Sequence, residues 1–142
     1  MRMIDFDLEV QKQVISAGLD DFSPNAMLPA THGGQFGATP AAWRNAVIAL
    51  ICSMLDAGLI VPNSGMGNYH EKSTSQIADL LTHGDADNGL DRDVVCDAVH
   101  FFGTPKLLAL LQMLELDNWE ALQCGLSAAL GGALAEMNVV RV

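Results

Sequence analysis

Basic side chains are scarce in this chain. Seven lysines and arginines stand against seventeen aspartates and glutamates, a formal charge of −10 over 142 residues. A field of that sign repels nucleic acid and anionic membrane surfaces and attracts basic proteins. Long apolar runs are missing too. The longest, Ala46 to Leu55, is broken by Ser53, and a bilayer span takes roughly 20 residues. The opening MRMIDFDLEV has acids every few residues where a secretory signal has a continuous apolar stretch, so a soluble, cytoplasmic protein is expected. Cysteine is limited to Cys52, Cys96 and Cys124. An odd count with no close pair argues against a disulfide framework, and apolar settings such as VIALICSML fit buried free thiols.

Motifs of catalysis and metal binding are absent as well. There is no G-x-S-x-G elbow and no cysteine in a protease context. GMGN at 65–68 lacks the lysine and the strand-then-helix setting of a phosphate loop. The histidines at 32, 70, 83 and 100 include no pair at the spacing zinc motifs use. Asp85, Asp87, Asp91 and Asp93 alternate like calcium ligands. A calcium loop opening at Asp85, however, needs Gly at its sixth position and Glu at its twelfth, where this chain has Leu90 and Cys96. The expectation is therefore no metal, no cofactor and no enzymatic activity, with a small-molecule enzyme ranked last among the readings.

What is present is an apolar half and regular punctuation. Hydrophobic residues make up 50% and charged ones 17%, which describes one folded domain, 1–142, with a real core. A first helix is expected over Asp5 to Ala17, closed by Gly18. Thr39-Pro40 opens a second, AAWRNAVIALICSMLDA, which runs to Gly58 and carries Trp43, Val47, Leu50 and Met54 on one broad stripe. Ser73 to Gln76 is a capping box for SQIADLLTH, ended by Gly84. A fourth helix should run from about Leu90 or Asp91 to Phe102 with Gly103 closing it. Thr104-Pro105 opens KLLALLQMLEL, and Asp117 to Glu120 caps a last helix, WEALQCGLSAALGGALAEM, which Gly131-Gly132 can bend. Trp43 and Trp119 are expected to anchor helix starts in the core. The closing VVRV frays or forms one strand. The fold class is all-α, a compact bundle of about six helices, with room for a short β-element near residues 59–70.

Six aspartates, Asp79 through Asp97, face a single base, Arg92, between residues 79 and 97. Duplex DNA is a poor partner for them, because Asp91 and Asp93 would meet phosphate at the helix start where a helix-turn-helix reads bases. Spaced carboxylates can instead mimic phosphates in the basic cleft of a nuclease. The candidate partner-binding residues are Asp85, Asp87, Asp91, Asp93 and Asp97, joined by Tyr69, His70 and Glu71 as an exposed patch in the adjoining loop. Asp93 and Asp97, four apart, share one helix face, leaving Val94, Val95 and Val99 to the core.

Three segments carry a resemblance: AAWRNAVIALICSMLDAGLI, the short helix IADLL, and FFGTPKLLALLQMLELDNW. With an aromatic-Gly-Thr turn, a Leu-rich helix and a Trp-headed helix in that order, the chain resembles small immunity proteins of bacterial polymorphic-toxin systems, those delivered by contact-dependent or type VI secretion. The resemblance implies a cytoplasmic inhibitor that binds one cognate toxin and blocks its active site or substrate access. It assigns no individual site residue. The rival expectation is a structural or assembly protein that forms homo-oligomers through its Gly- and Ala-rich last helix.

Overall fold

Proline at position 40 fixes φ for the first turn of the longest helix, and the structure grows around that helix. In the computed structural model, which describes residues 3–63 and 66–142, it is α2, Pro40–Asp56. Trp43, Val47, Leu50, Ile51 and Met54 are all buried along it, each worth roughly 1.5–3 kcal/mol in transfer from water. Thr39 occupies the cap position, yet its hydroxyl donates to the His32 carbonyl at 3.3 Å instead of capping the helix. Gly58, at φ +74°, reverses the chain after the last turn.

Five more α-helices lie among the described residues. Helix α1 spans Leu8–Leu19, α3 Thr74–His83, α4 Arg92–Ala98, α5 Pro105–Met113 and α6 Ala128–Glu136. Helix α3 packs on α2, α4 on α3, and α1 lies against α5. The Ser73 capping box forms as the sequence requires, with Ser73 Oγ accepting from Gln76 N and Gln76 Oε1 accepting from Ser73 N. Thr104 likewise caps α5.

Among the described residues four short strands complete the fold. β1 (Ile4–Asp5) runs parallel to β4 (Val140–Arg141), and β2 (Ile60–Pro62) runs antiparallel to β3 (Phe101–Gly103). β2 supplies the element expected near residues 59–70. The molecule is mostly helical but not all-α, with two two-stranded sheets and one contiguous cluster of buried apolar residues. No helix among the described residues is long and apolar enough to cross a membrane.

Several local expectations are corrected. Gly18 does not end α1 but lies inside it: a Cβ there would sit 2.4 Å from Leu111 Cδ1, so the glycine permits close approach of α5. The helix starts later than expected because Asp7 caps it, accepting from Val10 N at 2.9 Å, while Asp5 is in β1. α4 stops at Ala98, since Phe101 is drawn into pairing with Phe22 by two backbone hydrogen bonds of 2.8 and 2.9 Å. Their rings stack at 5.8 Å. The expected last helix divides: Asn118 caps a 3-10 turn, Trp119–Gln123, and Ser127 starts α6 separately. Trp119 is 58% exposed and anchors nothing in the core. The helix runs straight through Gly131-Gly132, where a Cβ on Gly131 would meet the Phe6 ring at 2.8 Å.

Gln11 explains the division. It is fully buried on α1, its Nε2 donates to the Gly125 carbonyl at 2.9 Å, and its Oε1 accepts from Ser127 N at 2.7 Å. This one amide satisfies the backbone of the link before α6. Gln11→Met, of similar volume, should therefore lower stability by about 1–3 kcal/mol; urea denaturation measures it, and an unchanged midpoint would refute the stitching role.

Candidate protein-interaction surface

Helix α4 begins where Asp91 Oδ1 accepts from Val94 N at 3.0 Å. Val95 and Cys96 turn into the core, so Asp93 and Asp97 turn out, as their spacing requires. Val94 does not follow Val95 and Val99 inward, and is 45% exposed. Asp93 pairs with Arg44 Nη2 at 2.9 Å. The same guanidinium donates through Nη1 to Cys96 Sγ at 3.3 Å, tying α2 to α4.

Asp97 makes the more consequential contact. Its carboxylate accepts from Asn25 Nδ2 at 2.7 Å, and the Asn25 backbone carbonyl accepts from Gln35 Nε2 at 3.0 Å. Gln35 immediately precedes Phe36, which is 91% exposed. A run of hydrogen bonds thus joins the acidic helix to the loop that lifts an aromatic ring into solvent. The loop needs its glycine at 34, where φ is +74° and a Cβ would strike the Pro29 carbonyl oxygen at 2.6 Å. Aromatic side chains are among the residues that anchor protein interfaces once a partner desolvates them.

The remaining candidates separate from this surface. Asp85 and Tyr69 are buried, at 3% and 2% exposure, which corrects their place in an exposed patch. Asp85 Oδ2 accepts from the Tyr69 hydroxyl at 3.0 Å and from Asn88 Nδ2 at 2.7 Å. The Asn88 hydrogen bond leads in holding the Asp85 carboxyl below its ordinary range, against the opposing effect of burial and with help from Tyr69. Burial first, and then the bond to Asp85, push the Tyr69 hydroxyl up to about 12. The pair staples the 3-10 turn Met66–Glu71 to the turn at 84–91, a structural role. His70 and Glu71 are exposed and lie 3.8 Å apart. Asp87 is exposed beside Asp79 and Lys72, lining a groove of about 590 Å³ along α3. The acids are thus divided between a buried staple, a groove on α3, and the outer face of α4.

Elsewhere the chemistry is quiet. Burial, with Asp56 adding to it, pushes the Cys52 thiol up to about 11, and burial also raises Cys96 against the pull of Arg44; both are protonated, poor nucleophiles at neutral pH. All three cysteines are free. Among the described residues no group of three or more His, Cys, Asp or Glu side chains is placed to hold a metal ion. Sequence reading missed Phe36, Asn25, Gln35 and Arg44. Its one available cue was a single aromatic set among glycines in GGQFG.

No family model, no curated protein and no solved structure matches this chain.

Proposed function

We propose that the chain is a non-catalytic, protein-binding inhibitor acting in the cytoplasm, an immunity protein that covers the active site or substrate path of a basic cognate toxin. The observation that carries this reading is the hydrogen-bonded run Asp97–Asn25–Gln35, which ties the acidic helix α4 to the loop bearing the exposed Phe36. Carboxylates steer a basic partner into encounter, and a desolvated aromatic then sets the lifetime of the complex. The net charge of −10 gives that steering the right sign over long range.

Affinity capture from the source cell's lysate at low and high salt, with mass spectrometry, identifies the partner. Against that partner, Phe36→Ala should weaken binding about 30-fold, the size of a hot-spot loss, with an unchanged melting temperature because the ring packs in solvent. Asp97→Lys should slow association, flatten its salt dependence and, by cutting the bond to Asn25, also shorten the lifetime of the complex. Unchanged affinity in Phe36→Ala would remove the loop from the interface. In the rival assembly reading the interface is α6, where Gly131 is approached by Phe6 of the same chain and Gly132 faces open space. Light scattering separates the two: a stable homo-oligomer that hides α6 favours assembly.

A further inference from the structure

A cavity of about 670 Å³ opens between α2, the start of α1, the segment Leu28–His32 and the β1/β4 pair. It shares no residue with the outer face of α4 and meets the groove on α3 only at Thr82. Its volume lies within the roughly 300–1,000 Å³ of small-molecule sites. The sequence makes this room on one side of α2. Trp43, Val47, Leu50 and Met54 fill the core, while Ala42, Ala46 and Ala49, at helical spacing, face the cavity with nothing larger than a methyl group. Val10, Leu28 and Ile48 form an apolar floor, all of them buried. Leu28 and His32 both hold positive φ, +46° and +53°. His takes that conformation comparatively readily, whereas for the buried Leu28 it is uncommon.

The mouth decides the ligand's charge. Asp5 and Arg141 pair there at 2.9 Å, and each neutralises the other. Asp7 is the remaining charge. Its Oδ1 accepts from Val10 N at 2.9 Å, and its second oxygen accepts no hydrogen bond among the described residues. An anion entering would meet that carboxylate and the field of the whole protein; a cation would gain from both. We propose that this cavity binds a small molecule with an apolar body and a protonated amine head, the body over the alanine face of α2 and the amine at Asp7.

The test is a titration of the full chain, followed by amide chemical shifts, with n-hexylamine, n-hexanol and n-hexanoate as probes. Hexylamine should saturate the amides around the cavity with a roughly millimolar Kd, about tenfold tighter than hexanol, and hexanoate should be weakest. Asp7→Asn keeps a good helix cap while removing the charge, and should bring hexylamine down to the affinity of hexanol. Ala46→Phe fills the space and should abolish binding of both. Non-saturating shifts with hexylamine, or equal binding in Ala46→Phe, would overturn the site. Hexanoate binding as tightly as hexylamine, or an Asp7→Asn protein that still prefers the amine, would overturn the assignment of its ligand.

Discussion

Trp43→Ala is expected to cost about 3–5 kcal/mol, a large share of the total stability of a domain, which is of order 5–15 kcal/mol. The indole is 1% exposed at the head of α2, and its Nε1–H donates to the carbonyl of Met27, sixteen positions earlier, at 2.9 Å. Truncation therefore opens a cavity and also leaves that carbonyl without its donor. Trp43→Phe separates the two effects, keeping most of the packing and losing the bond, and should cost roughly 1–2 kcal/mol. Urea midpoints at neutral pH give both numbers. Near-equal losses in the two variants would mean that the hydrogen bond, and not the packing, dominates.

The buried staple predicts the second large effect. Asp85→Ala leaves the Tyr69 hydroxyl and the Asn88 amide without their acceptor, and should cost about 2–4 kcal/mol, as expected for hydrogen bonds to a buried carboxylate. The pH dependence has two limbs of known sign. The folded-state pKa of Asp85 lies below its ordinary value, so its contribution is complete above the usual carboxylate range and is lost as the pH falls through that lowered value. Tyr69 is raised from 10.0 to about 12; its contribution is complete below pH 10 and is lost as the pH rises towards 12. Tyr69→Phe should flatten the alkaline limb and keep most of the acid one, because Asn88 is the larger cause of the Asp85 shift. Thermal melts across pH read both limbs. An acid limb unchanged in Asp85→Ala would show that other carboxylates set it.

The sequence was most legible where structure is decided within one turn. The capping box at Ser73, the Thr104-Pro105 start and the reversals at Gly58 and Gly84 all depend on residues a few positions apart, and all formed. It was least legible where a distant partner decides. Phe101 and Phe102 continue a helical pattern, and only Phe22 and β2, far away in the chain, draw them into a strand. The expected box from Asp117 to Glu120 does not form; Asn118 alone caps the turn, with Ala121 at the third helical position. Gln11, more than a hundred residues earlier, holds the next segment extended. The candidate site divided for the same reason. Local spacing put Asp93 and Asp97 outward correctly, whereas Asp85 is buried by a tyrosine sixteen positions away. Asn25 joins Asp97 across 72 positions, a link no periodicity announces.

The parallel β1/β4 pair has a mechanical meaning. Ile4 aligns with Val140 and Asp5 with Arg141, Phe6 N donates to the Arg141 carbonyl at 2.8 Å, and the Arg141 guanidinium clasps Asp5. A force drawing Met3 away from Val142 pulls these two strands past each other. It loads their rungs in shear, all at once, where an antiparallel pair pulled from its open end would unzip rung by rung. The clasp is short, but it lies directly in the line of pull, and α1 and α6 are shielded behind it until it slips.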